Sequence, residues 1–325
     1  MIKMNNFKIE QSKNEEEWNN FLLNSINKNI YCHNEFLKII KGTIFKFFIK
    51  NNEEIVASFF LNENGKNIDI SKEIIYTPLI FKKYGNRPLA SSNTEKYEII
   101  DIFKKFLTEN YNKIDFISDY HLNDLRPFYF HNFDKKKNIF NVKSVKYTTL
   151  LNIKNITLDN DIKNSEFYKN LSVRIRQQYN YSFSKKKYRL LHGYDKKVFI
   201  DIMQSTFDRQ EKVSDFNIVD RSKLLERLNE SQNIKMYYCL ENQIVKSFSI
   251  FGIIKDHAVY LHGGRAVKEK NDYSLTHTLI ESFVDLSKAG INTVDLEGIN
   301  SPKRGFNKLG YGGIVLPYYQ LTNCE

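Results

Sequence analysis

Cysteine, tryptophan, proline and long apolar runs are all scarce in this chain of 325 residues. The three cysteines (Cys32, Cys239 and Cys324) are odd in number and far apart, which excludes a disulfide framework and a cysteine-rich metal site. No stretch approaches the roughly 20 apolar residues that cross a bilayer. The opening Met1-Ile2-Lys3-Met4-Asn5-Asn6-Phe7 lacks the apolar core of a signal peptide. A soluble protein of the reducing cytoplasm is expected. Five prolines and 13 glycines are too few for long disordered tracts. With one tryptophan, the aromatic core must come from 25 phenylalanines and 20 tyrosines.

What is abundant is positive charge, a formal net +11, with lysine runs at 135–137, 185–187 and 196–197. Each run by itself reads as solvated surface of a lysine-rich chain. Together they also suit a polyanionic partner such as CoA, a nucleotide-sugar or tRNA, and net charge does not separate these.

The chain repeats itself. Phe48–Phe59 reads as strand, polar turn, strand, and so does Tyr237–Phe248; Ile-Val-x-Ser-Phe recurs after the same kind of turn once Ala57 is set against Lys246. Further strands are expected at Ile68–Ile70 and Ile74–Thr77 in the first half, and at Ser249–Ile254 and Ala258–His262 in the second. Each half then carries an amphipathic helix. Its apolar stripe is Tyr97, Ile100, Phe103, Phe106 and Leu107 in one copy, and Leu275, Leu279, Phe283 and Leu286 in the other. Each helix runs into a short strand with an aspartate, Lys113–Ile117 and Thr293–Glu297, and Gly290 suits a C-terminal cap. Trp18, Phe21 and Leu22 have core spacing. The expectation is an α/β chain of two similar domains with mixed sheets, 1–150 and 151–325, joined by a strand at Val145–Ile153 and a polar linker at Asn155–Asp161.

Ordered along the chain are Trp18-x-x-Phe21, Tyr31-x-His33-x-x-Phe36-Leu37, Tyr76-Thr77-Pro78, Arg174-Ile175-Arg176-Gln177-Gln178, Thr206-Phe207-x-Arg209, Tyr260-Leu261-His262-Gly263-Gly264, Asp295-Leu296-Glu297-Gly298 and Phe306-Asn307-Lys308-Leu309-Gly310-Tyr311. This order resembles the two-domain, acyl-CoA N-acyltransferase-like (GNAT-like) proteins related to the Fem peptidoglycan-bridge aminoacyltransferases, over almost the whole chain. The resemblance implies a tandem duplicated GNAT-like fold with its chemistry in the groove between the copies. It implies an acyltransferase using acetyl-CoA or another acyl-CoA on an amine of an amino-sugar or peptidoglycan-type cell-envelope precursor. The alternative donor is aminoacyl-tRNA, and a third reading is a non-catalytic binder of nucleotide-sugar or nucleic acid. The long helical hairpin of some Fem enzymes has no heptad counterpart here, and the closing motif is contracted around Lys308.

Acyl transfer needs a held donor, groups that stabilise an oxyanion, and a base. Gly263 and Gly264 permit close backbone approach, Arg265, Lys268 and Lys270 carry charge for phosphate, and Ser274 is a good N-cap for the helix that follows. The loop lacks the superfamily's usual phosphate-cradle glycines, so an ordinary surface loop is an equal reading. Asp295 and Glu297 are expected to alternate along one strand and share a face, with Glu297 the better base. His262 ends a strand beside the glycines, as a base or, by preference, as a packing residue. Arg174 and Arg176, two apart, do not share a helix face; one is expected to meet an anionic substrate. Tyr76 reaches the groove or simply packs, Lys308 is a substrate contact, Asp115 is structural, and no metal is expected.

Overall fold

A computed structural model describes residues 7–71, 73–77, 79–135, 139–156, 161–208, 217–266 and 272–323, with backbone alone at 303 and 304. The chain divides into two compact units, Met1–Lys146 with Pro317–Glu325, and Tyr147–Leu316. Pro78, Arg209, Lys268 and Lys270 lie outside the described residues. Among the described residues no helix is long and apolar enough to cross a membrane.

In the first unit, β1 (Phe7–Gln11), α1 (Glu15–Leu23) and α2 (Asn34–Leu37) lead to the hairpin β2 (Thr43–Asn51) and β3 (Glu54–Asn64). There follow β4 (Asn67–Ile68), β5 (Ile80–Phe81), α3 (Leu89–Asn110), β6 (Lys113–Ile117), α4 (Arg126–Tyr129) and the first half of β7 (Asn141–Asn152). Neighbouring strands run β1-β2-β3-β4-β6, antiparallel except β4 with β6. Asn14 starts α1 by accepting the amides of Glu16 and Glu17 (2.9 and 3.1 Å), and three glutamates in the first turn suit the helix dipole. Trp18 is fully buried, its indole donating to the Cys32 carbonyl at 2.8 Å. On α3, Ile100, Phe103 and Leu107 of the predicted stripe are buried, joined by Ile99, while Tyr97 and Phe106 are partly buried; the Phe59 and Phe103 ring centroids lie 4.8 Å apart.

The second expected strand of this half, Ile74–Thr77, is not formed. Thr77 alone meets β6: its amide donates to the Ile117 carbonyl (2.7 Å), and its hydroxyl serves the same residue's carbonyl and amide. The next residue in the sequence is proline, which has no N–H to continue a ladder.

The second unit takes the rest of β7, then α5 (Glu166–Asn170), α6 (Val173–Lys185), β8 (Arg189–His192), α7 (Lys196–Asp208) and α8 (Ile218–Glu230). It continues with the hairpin β9 (Ile234–Glu241) and β10 (Ile244–Ile254), then β11 (His257–Arg265), α9 (Ser274–Lys288), β12 (Thr293–Asp295), α10 (Pro302–Leu309) and the start of β13 (Ile314–Thr322). Strand order is β7-β12-β11-β10-β9-β8, with β11 and β12 the parallel pair. The recurring hairpins share their turn length and an asparagine at its first position. Both turn through two residues, Asn52-Glu53 and Asn242-Gln243, with φ of +54° at Asn52 and +52° and +66° in the second. Asparagine tolerates that left-handed geometry better than most residues.

Helix α9 buries Leu279, Ile280, Phe283 and Leu286 against one face of this sheet. It ends as predicted at Gly290 (φ +85°): the Gly290 amide donates to Ser287 and the Ile291 amide to Leu286, the paired bonds of a Schellman cap. The end of β13 belongs to the first unit, where Gln320–Thr322 pair antiparallel with Asp115–Ile117. Asp115, read as structural, accepts from Gln320 at 2.9 Å and lies 3.4 Å from the Lys143 ammonium.

Candidate functional site

The residues brought together belong to the second unit, where β11 and β12 part. These strands pair only from His257 with Thr293 to Val259 with Asp295; β11 then runs on to Arg265 while β12 stops. The expected strand through Glu297 is therefore cut short, and its alternation does not hold. The reason is Asp295. It is fully buried, and its Oδ1 accepts both the Thr148 hydroxyl (2.5 Å) and the Glu297 amide (2.7 Å). That second bond folds the chain back and holds Glu297 at φ +60°, in the left-handed region that a glutamate adopts only when its surroundings impose it. The Leu296 amide meanwhile donates to Thr149 of β7 at 3.0 Å. The two carboxylates thus have different work: Asp295 shapes the turn, and Glu297 is what the turn presents.

Glu297 is half-buried, but its Oε1 is shut off from solvent and has no hydrogen-bond partner among the described residues. Burial pushes its pKa up to about 8, and the nearby Lys308 ammonium pulls the other way. Lys308, on α10, lies 3.4 Å from the Gly298 carbonyl oxygen and 5.5 Å over the Tyr260 ring. The Tyr260 phenol in turn rests over Gly263, where an added Cβ would come within 1.9 Å of its oxygen. The room that glycine leaves at 263 is taken by the protein's own tyrosine. At Gly264 it is taken by Ile202 and Thr206 of α7.

His262 is elsewhere. Phe251 pairs with Tyr260 but Ile250 pairs with His262, so Leu261 is an extra residue, a β-bulge. Because neighbours along β10 face opposite ways, Tyr260 joins Phe251 on the α9 face while His262 joins Ile250 on the α7 face. There it packs on Phe199, 5.5 Å between centroids, and burial with Arg221 nearby holds its pKa well below the usual histidine value. It packs on the other face of the sheet from Lys308, the side away from Tyr260, as the packing reading of this residue expects.

Beside the start of α9 is a pocket of about 220 Å³, lined by Arg174 and Gln178 of α6, Arg265, Asp272, Thr276 and Asn307 among others. Ser172 caps α6 and sets Arg174 and Gln178 one turn apart on one side of the helix. Arg174 donates to Asn307 Oδ1 (3.0 Å) and lies over the Phe306 ring (5.5 Å); Thr276 donates to Gln178 (2.9 Å). Arg176, two residues on, does not line this pocket. Arg265 donates to the Asp272 carbonyl oxygen at 2.8 Å. Ser274 is not the N-cap. Tyr273 holds that position, and Asp272 Oδ1 accepts the Ser274 amide at 2.9 Å, satisfying a first-turn donor with the chain's own carboxylate. Tyr76 lies in the first unit, fully buried among the rings of Tyr31, Tyr120 and Tyr318.

Tyr260, Gln178 and Asn307 stood inside motifs of the sequence without being given a role there, and Thr276, Thr148 and Asp272 were not singled out. Two carried a signal: Gln178 stands at i+4 from Arg174, and an aspartate two residues before Ser274 is a helix-start pattern. Among the described residues no group of three or more His, Cys, Asp and Glu is arranged to hold a metal ion.

No family model and no curated protein matches the chain. Solved structures do. FemX superposes with a TM-score of 0.67 at 12% identity, over 96% of this chain and 96% of that one. A conserved protein of unknown function from Bacteroides thetaiotaomicron gives 0.55 at 12%, over 98% and 99%. The C-terminal domain of a candidate lysylphosphatidylglycerol synthetase from Agrobacterium fabrum gives 0.54 at 8%, over 96% and 93%. Identities this low speak to the fold alone, and that fold is the expected one: the chain has the mixed α/β, GNAT-like fold on which FemX superposes.

Proposed function

We propose that the second unit is an N-acyltransferase centre in which Glu297 takes a proton from the acceptor amine. The observation that carries this reading is the shielded, unpartnered Glu297 Oε1, held by a strained backbone where β11 and β12 part. A carboxyl with its pKa near 8 matches the removal of a proton from an ammonium at neutral pH, and a positioned base contributes about 10²–10⁴-fold. Lys308, beside the same carboxyl, favours its ionised form. The edge of β11 from Tyr260 onward, which β12 has left, is suited to backbone donors that meet the developing oxyanion. Arg174 and Arg265 suit an anionic group of donor or acceptor.

The donor in this reading is acetyl-CoA or another acyl-CoA, which supplies the activated acyl group. The acceptor is the amine of an amino-sugar or peptidoglycan-type precursor. A second reading, aminoacyl transfer from aminoacyl-tRNA, is favoured by Asp272. It engages the Ser274 amide, where a CoA diphosphate would bind the helix terminus. Isothermal titration with acetyl-CoA distinguishes the two: heat and a thermal shift support the first, and their absence, with labelled amino acid passing from charged tRNA to a muropeptide precursor, supports the second. For either donor, kcat/KM is expected to rise with pH through about 8. Glu297→Gln is expected to lower it about 10²–10⁴-fold and to remove that inflection. A Gln variant with the parent's rate and pH profile would end the catalytic reading and leave a binding protein.

A further inference from the structure

Two places far apart in the sequence carry the same short pattern, Phe133-Asp134-Lys135-Lys136-Lys137 and Phe183-Ser184-Lys185-Lys186-Lys187, one in each unit. Both phenylalanines are turned to solvent, Phe133 70% and Phe183 68% exposed. In the first unit the neighbours enlarge the apolar projection: just after α4, Phe130 is 61% exposed and Tyr129 52%, over a base anchored by buried Phe128 and Phe140. Lys135 beside them is exposed. In the second unit Phe183 stands on the last turn of α6, with Lys185 and Lys187 exposed and Lys186 paired to Glu241 at 2.9 Å.

Exposing bulky aromatic rings costs solvation free energy that folding does not recover. A ring projecting beside several lysines has the makings of an interfacial anchor: the ring enters the boundary between headgroups and acyl chains, and the ammonium groups meet anionic headgroups. Single-stranded nucleic acid also pairs rings with cations. Here, however, the rings stand on a short turn and a helix end rather than on a flat sheet platform, and the cations in the repeated pattern are lysines, point charges without the stacking plane of arginine.

We infer that this protein docks on an anionic lipid surface through Phe130 and Phe133 with Lys135 in the first unit, and separately through Phe183 with Lys185 and Lys187 in the second. The test is co-sedimentation of the full chain with vesicles of phosphatidylglycerol and phosphatidylcholine, against vesicles of phosphatidylcholine alone. Binding is expected to the phosphatidylglycerol vesicles and to fall at high salt. The double change Phe130→Ser with Phe133→Ser, and separately Phe183→Ser, are each expected to weaken it about tenfold, since inserted ring area is lost. Leu89→Ser, at an equally exposed apolar residue outside any lysine run, is expected to leave it unchanged. All of these positions are on the surface, and an unchanged melting temperature confirms that the fold is kept. The inference is overturned if the parent does not bind phosphatidylglycerol vesicles at low salt. It is overturned equally if the phenylalanine variants bind as the parent does, or if the same variants lose affinity for a single-stranded RNA oligonucleotide but not for vesicles.

Discussion

Glu297 and Asp295 are two residues apart and of one chemical kind, yet their surroundings give them opposite tasks. Asp295 is satisfied by a hydroxyl and a backbone amide; Glu297 Oε1 has neither, and its carboxyl holds its proton up to about 8. That difference has a consequence for stability. Between the ordinary glutamate pKa of 4.5 and about 8, the folded chain holds a proton that the unfolded chain has released. Stability contributed by this group is therefore complete below about 4.5, falls as pH rises through this window and levels off above it. Glu297→Gln removes the titration. From pH 5 to pH 9 the variant is expected to gain on the parent by about 3 kcal/mol, less than the full shift implies because the residue is half-buried. Urea midpoints across that range measure it, and parallel curves for the two proteins would contradict the raised pKa.

Among the elements, β11 is decisive, and one extra residue in it sorts the side chains. The bulge at Leu261 sends Tyr260 and His262 to opposite faces, and Gly263 then lets the Tyr260 phenol fold back under Lys308. Two glycines illustrate two different costs. At Gly263 an added methyl would collide with Tyr260, 1.9 Å from its oxygen. Gly263→Ala is therefore expected to destabilise by about 1–3 kcal/mol through overpacking, and the further change Tyr260→Ala is expected to remove the clash. At Gly290 nothing lies within 4 Å, but φ is +85°. Gly290→Ala is expected to cost about 1 kcal/mol from backbone strain alone, with no rescue by any neighbour. Denaturant midpoints for the three variants separate clash from strain.

At the scale of the molecule, the chain's last strand completes a sheet laid down by its first third. Leu321 sits in the core of the first unit, and Tyr318 meets Tyr76 at 5.0 Å. Truncation before Pro317 is accordingly expected to deprive β6 of a partner some two hundred positions away in sequence. Hydrogen exchange at Phe116 and Ser118 should accelerate by several orders of magnitude, because the Ser118 amide loses the Tyr319 carbonyl and Phe116 loses its antiparallel partner Leu321. Unchanged protection there would mean that β6 is held by other contacts.

Much of this was legible in the chain itself. Local chemistry dictated the paired hairpins, the stripes of α3 and α9, the Gly290 cap and the buried Trp18, because each depends on neighbours within a few positions. The fold class followed from their order. The rest was settled at long range. Whether Glu297 continued a strand depended on Thr148, almost 150 positions earlier, helping to hold Asp295; which face His262 took depended on a pairing offset against β10. Ser274 yielded its capping role to Asp272, and Tyr76 went to an aromatic core. The sequence by itself determined which elements form, since hydrophobic period and turn chemistry are local. Only the tertiary structure decided which polar groups are buried without a partner, because burial and pairing are properties of neighbours that the chain brings in from afar.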